Sequence, residues 1–233
     1  KLIIASTSTL HGGAYLEYLL PALRTHFKNC SSLLFIPYAR PGGISHEDYT
    51  GKVAETFAAL NINVKGIHEF DDPIKAVSNA EAIFTGGGNT FLLVAQLYKT
   101  GVMTAVQNAV KNGIPYLGSS AGSNICGLTM QTTNDMPIIY PPSFKTLGLI
   151  PFNLNPHFLD PQRGSTHMGE TRETRIKEFH QFNTQPVVGL REGSWLEVSG
   201  DTILLKGSLE ARLFWQGKEP EELKAGSDLS WIK

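Results

Sequence analysis

Five short apolar runs, Leu2 to Ala5, Leu33 to Pro37, Val64 to Ile67, Ala82 to Thr85 and Pro115 to Gly118, alternate along the chain with stretches whose apolar residues recur at helical spacing. Runs of this length and composition read as buried strands. Between them, Ala14 to Phe27 carries Leu16, Leu19, Leu20 and Leu23, and Glu47 to Leu60 carries Val53, Phe57 and Leu60. Thr90 to Tyr98 and Val102 to Lys111 follow the same rule. Strand and helix alternating in this way predict an α/β fold, a parallel sheet covered by helices on both faces.

The character changes after Met130. The stretch TTNDMPIIYPPSF is rich in proline and turn formers, so it is expected as a surface excursion. Residues 151 to 155 are expected to return to the sheet, Asp160 to Gly169 to form a long flexible loop, and Glu170 to Phe182 a helix. Val187 to Leu190, Trp195 to Val198 and Thr202 to Leu205 read as late strands, with tight turns at Gly193 and at Gly200-Asp201. No repeat or linker divides the chain, and residues 1–233 are expected to form a single domain.

Twenty basic against twenty-one acidic residues leave a net charge of −1. No overall basic field draws nucleic acid or an anionic membrane, which leaves a small molecule or a peptide as the expected ligand. Cys30 and Cys126 lack the spacing of a metal site and read as buried thiols of a reducing compartment. No apolar run approaches the roughly 20 residues that a membrane span requires. The expected location is cytoplasmic.

Chemistry concentrates at GIPYLGSSAGSNICG, residues 113 to 127. A serine displayed at the end of a strand, on a sharp turn into a helix, tolerates only small neighbours two residues to either side, the pattern GxSxG. Gly118-Ser119-Ser120-Ala121-Gly122 satisfies it with Ser120 at the centre. Ser119 has Leu117 two residues before it, and Ser123 has Ile125 two residues after it. A phosphate-cradling turn is the competing reading, but no GK[ST] follows to make a Walker loop.

An acyl-transfer serine needs oxyanion donors, a base and a group that orients the base. The amide of Ala121 is one donor by position. The run Gly86-Gly87-Gly88-Asn89-Thr90, which ends a strand and opens a helix, is a source for the second. His157, just past a strand end, is the favoured base, with His167 a weaker candidate in the loop. His11, His26, His46, His68 and His180 read as surface or satisfied structural histidines. Asp135, Asp160, Glu170 and Glu192 all remain open as the orienting acid.

Six segments taken together resemble a known family: GGGNTF at 86 to 91, GSSAGSN at 118 to 124, TTNDMPI at 132 to 138, NPHF at 155 to 158, GETRETRI at 169 to 176 and GLREGSW at 189 to 195. They are similar to the peptidase E family of α-aspartyl dipeptidases, which also includes cyanophycinase. The resemblance implies a three-layer sandwich with a mostly parallel central sheet, like the class I glutamine amidotransferases and flavodoxin. It implies cleavage of dipeptides bearing N-terminal aspartate, without metal or cofactor; the chain is expected to act as a monomer or homodimer. On matching positions it makes Ser120 the nucleophile, His157 the base and Glu192 the third member, with Gly88 and Ala121 as oxyanion donors. Arg172 is the expected partner of the aspartyl carboxylate, and Asn89 and Asp135 are second-rank substrate contacts, with two roles open for Asp135: binding the free α-amino group or only bracing its loop. Asp160 to Met168 is the expected lid.

Three other functions compete. A cyanophycinase-like hydrolase of β-aspartyl polymer keeps the triad but needs an open groove. A silent small-molecule binding protein needs no Ser-His-Glu set. An esterase of the α/β-hydrolase fold fits the order Ser120, Asp135, His157, yet five strand candidates precede the elbow and no broad apolar lid follows.

Overall fold

The computed structural model describes residues 1–161 and 169–233. Its first five strands, β1 (Leu2–Ala5), β2 (Ser32–Ile36), β3 (Asn63–Gly66), β4 (Ile83–Thr85) and β5 (Tyr116–Ser119), lie on the five apolar runs. They pair in parallel in the order β3-β2-β4-β5-β1. Two later strands, β8 (Ser194–Ser199) and β9 (Thr202–Gly207), extend the sheet antiparallel beyond β1. Ser199 pairs with Thr202, so Gly200-Asp201 is the expected two-residue turn, with Gly200 at φ +57°.

Successive side chains of a strand point to opposite faces, and each face here buries its own helices. Ile3, Phe35, Phe84 and Leu117 pack with Leu23 of α1 (Leu20–His26) and with Tyr49, Val53 and Phe57 of α2 (His46–Ala58). On the other face, Ile4, Ile36, Ile83 and Tyr116 pack against α3 (Pro73–Ser78), α4 (Thr90–Lys99), α5 (Val102–Lys111) and α6 (Ala121–Asn124). The three-layer arrangement around a mostly parallel sheet is the fold class expected from the sequence.

Several local expectations need correction. The helix predicted over 14–27 begins only at Leu20, because Pro21 must occupy a first turn, and a 3-10 turn at Glu17–Leu19 precedes it. Helix α3 was not anticipated; Asp72 caps it and Pro73 opens it. Strands β6 (Asn153–Pro156) and β7 (Val187–Leu190) do not join the central sheet. With β10 (Ala211–Phe214) and β11 (Glu221–Leu223) they build a second sheet of order β11-β10-β7-β6. Gly193 therefore closes no hairpin and instead carries the chain from the small sheet to the large one. Helix α7 spans Arg172–Phe179, shorter than expected, with Thr171 as its N-cap. Cys126 is buried but Cys30 only partly so. His26 and His180 meet the backbone carbonyls of Tyr116 and Gln185, whereas both ring nitrogens of His68 lack a partner among the described residues.

Candidate active site

Strand β5 turns into α6 across a single residue. Ser120 there adopts φ 53°, ψ −110°, outside the regions open to L-residues. Conformations of this kind cost about 1–3 kcal/mol and persist where the surroundings enforce them. The flanking glycines make room for the turn. A Cβ on Gly118 would lie 2.4 Å from the Gly122 carbonyl oxygen, and one on Gly122 would lie 2.0 Å from that of Thr85. The three serines thus have three fates: Ser119 is fully buried, Ser123 is tied to the Ala5 carbonyl at 2.6 Å, and Ser120 alone of the three lines a cleft.

The partners of Ser120 come from the small sheet. Strands β6 and β7 run parallel with Pro156 opposite Leu190, so the next residues on each, His157 and Arg191-Glu192, emerge side by side at the same sheet edge. His157 also has positive φ, 54°, which turns its ring off the strand line. Its Nε2 lies 2.9 Å from Ser120 Oγ, and its Nδ1 lies 2.6 Å from Glu192 Oε1. Glu192 is acceptor-only when ionised, so Nδ1 donates to it and Nε2 is left to accept the serine proton. Of the other acids, Asp160 pairs with Arg191 at 2.7 Å and Glu170 lies 3.8 Å from Arg175. His167 lies outside the described residues, as does most of the expected lid.

Ser6, which follows β1, joins the two sheets at this point. It is fully buried; its hydroxyl donates to the Leu190 carbonyl at 2.7 Å and accepts from the His157 amide at 2.9 Å. Nothing in the sequence distinguishes it within the polar run after β1. Ser6→Ala is expected to lower stability by about 1–3 kcal/mol, since it leaves the His157 amide without its acceptor, while the Leu190 carbonyl keeps the Phe158 amide at 3.0 Å. A shifted urea midpoint at unchanged slope is the measurement.

The cleft above Ser120 has a volume of about 250 Å³ and is lined by Ala121, Asn134, Asp135, His157 and Arg172, among others. Arg172 is the one arginine or lysine among its described lining residues. The acids beside it in the chain are engaged elsewhere, Glu173 of α7 with Lys177 and Arg212, and Glu170, just before the N-cap, with Arg175. Burial, with Arg175 nearby, lowers the pKa of Arg172, and Asp135 opposes that shift. A guanidinium remains charged regardless. Asp135 accepts from the amide and hydroxyl of Thr90 at 2.7 and 2.6 Å and so braces its loop against the first turn of α4. Asn89 is not in the lining. Its Oδ1 caps α4 through the Leu92 amide and its Nδ2 donates to the Met136 carbonyl.

The three glycines before Asn89 each meet a different wall. A Cβ at Gly86 would lie 2.7 Å from the Tyr49 hydroxyl, one at Gly87 2.9 Å from Ser120 Cβ, and one at Gly88 2.3 Å from the Ala39 carbonyl oxygen. Gly88 also has φ +146°, a backbone that other residues rarely adopt. The Gly88 and Ala121 amides donate to no other group among the described residues.

Behind Glu192, Arg191 forms paired hydrogen bonds to Asp160 and to Glu222 and donates to the Glu210 carbonyl. The Arg191 guanidinium holds the Asp160 carboxyl below its usual range. Arg191 thereby ties the turn carrying Glu192 to the segment that follows His157.

A serine hydroxyl raised at a strand-to-helix elbow of an open α/β sheet and bonded to histidine defines a serine-type hydrolase. Similarity to known proteins narrows the class. The profile of peptidase family S51 matches residues 2–206, and the chain belongs to that family. It is 50% identical over 230 residues to peptidase E of Streptomyces coelicolor, covering 99% of this chain and 93% of that one. It is 44% identical to a probable alpha-aspartyl dipeptidase of Drosophila melanogaster, covering 100% of this chain and 97% of the other. The crystal structure of a peptidase from an acI-B1 actinobacterium superposes with a TM-score of 0.74 at 19% identity, covering 99% and 96% of the two chains. The family expected from the six sequence segments is the family found.

Proposed function

We propose that this chain is a dipeptidase that cleaves dipeptides with N-terminal aspartate through an aspartyl-enzyme on Ser120, His157 and Glu192. The observation that carries the reading is the continuous Glu192–His157–Ser120 hydrogen-bond line, opening on a small cleft that holds Arg172. His157 takes the Ser120 proton as Oγ attacks the aspartyl carbonyl, and Glu192 stabilises the imidazolium that forms. The amides of Gly88 and Ala121 receive the oxyanion. His157 then protonates the leaving amine and activates the water that releases aspartate.

Arg172 meets the side-chain carboxylate with its planar fork. Asp135, the one acid among the described lining residues, faces the free α-amino group. The name of the relative from Drosophila, a probable alpha-aspartyl dipeptidase, supports the substrate class.

The deciding experiment is hydrolysis of Asp-Leu against Asn-Leu and Leu-Leu. Cleavage confined to Asp-Leu is the expected result; cleavage of none of the three removes the proposal. Arg172→Met is expected to lower kcat/KM for Asp-Leu by about 10²-fold or more, in line with the 2–5 kcal/mol lost when one partner of a desolvated charge pair is truncated. Kinetics on Asn-Leu, where any residual rate should be unchanged, show whether the loss belongs to the carboxylate.

A further inference from the structure

We propose that Tyr49 is a positioning residue for the oxyanion site, acting through the peptide that joins Gly87 to Gly88. The inference rests on the reading above, in which the Gly88 amide receives the oxyanion. Tyr49 belongs to α2, on the face of the sheet opposite α4 and α6, and is 2% exposed. Its hydroxyl nevertheless reaches the glycine loop beyond the end of β4. It accepts from the Gly87 amide at 3.1 Å and donates to the Gly87 carbonyl at 3.4 Å.

That carbonyl and the Gly88 amide belong to one peptide plane. The peptide between Gly87 and Gly88 is trans, so the two groups point in opposite directions. With the carbonyl turned inward to Tyr49, the Gly88 N–H is turned the other way, on a loop whose preceding residue lies against Ser120. Donation to the carbonyl also polarises the peptide, which strengthens its N–H as a donor in a chain of hydrogen bonds. The path is O–H to O=C, through the amide, and from N–H to the oxyanion.

The surroundings leave the hydroxyl little freedom. Phe35 meets the Tyr49 ring edge-on at 4.9 Å, and the Arg40 guanidinium lies 4.9 Å over its face. A side chain at Gly86 would occupy the place of the hydroxyl. The first glycine of the run therefore admits the tyrosine, the second admits the nucleophile and the third is the donor.

The experiment compares wild type, Tyr49→Phe and Tyr49→4-aminophenylalanine, the last of which returns a donor to the same position. Steady-state hydrolysis of Asp-Leu is measured beside inhibition by the α-aldehyde of aspartate, which forms a tetrahedral adduct on a serine, and by free aspartate. Tyr49→Phe is expected to lower kcat by about 10-fold or more, less than the roughly 10²–10³ for outright loss of an oxyanion donor. KM and aspartate inhibition should stay within about twofold while aldehyde affinity falls with kcat, because only the tetrahedral species carries the oxyanion. The 4-aminophenylalanine chain should recover most of the rate.

A Tyr49→Phe enzyme with wild-type kcat overturns the proposal, as does a fall in kcat with aldehyde affinity unchanged. Equal losses in aldehyde and aspartate binding overturn it too, since they mark a general collapse of the site. If wild type leaves Asp-Leu intact, the substrate reading has failed, and the rate of Ser120 phosphonylation by a fluorophosphonate takes over as readout. That reaction also develops charge on an oxygen, and it should slow by about tenfold in Tyr49→Phe, with an unchanged rate overturning the inference. Should Tyr49→Phe not fold, Tyr49→4-fluorophenylalanine fills the same space without a donor and gives the same comparison.

Discussion

Ser120→Ala is expected to lower kcat on Asp-Leu by about 10⁶-fold, the scale seen when the nucleophile of a serine triad is removed. Alanine fits the elbow, because a Cβ is already present there and the glycines at 118 and 122 are untouched. Folding stability should therefore change little, and relief of crowding at the strained turn gives no reason for a large loss. The informative comparison is the double variant Ser120→Ala/His157→Ala. The two side chains act as one unit through their 2.9 Å hydrogen bond, so the double loss should be no larger than the single one. Additive losses, measured by progress curves at high enzyme concentration, would mean that His157 serves catalysis by some route other than Ser120.

The elbow was legible in the sequence because its constraint is local. Gly118 and Gly122 are needed by contacts that the turn makes with itself and with the neighbouring β4. The five parallel strands were legible for a related reason, since a strand buried on both faces is apolar throughout and its crossover helices carry the periodicity. The small sheet was not. Residues 211–214 read ARLF and 221–223 read EEL, too short and too charged to stand out, and each pairs with a partner chosen by tertiary structure.

The acid opposite His157 hung on that sheet. His157 and Glu192 are 35 residues apart and meet only because Pro156 pairs with Leu190. Chemistry without that register left four acids open, and the likeness of GLREGSW to a known family chose among them. Ser6 and Tyr49 gave no local signal at all. One is a serine in a polar run and the other an aromatic on a helix face, and both gain meaning from what lies across the sheet.

Glu192→Gln is expected to lower kcat by about 10³–10⁴-fold at nearly constant KM, approaching the 10⁴ known for the equivalent change in a serine protease triad. Two effects contribute. An amide cannot stabilise the imidazolium by charge, and its N–H₂ face, if turned to Nδ1, holds His157 in the tautomer that cannot accept from Ser120. The glutamate side chain is 46% exposed, which weakens its charge effect relative to a buried acid and sets the expectation below the upper limit. Steady-state kinetics on Asp-Leu check the expectation. A loss confined to kcat places the effect of Glu192 on the base, through the hydrogen bond that joins it to His157 Nδ1, whereas a matching rise in KM would place it on substrate binding instead.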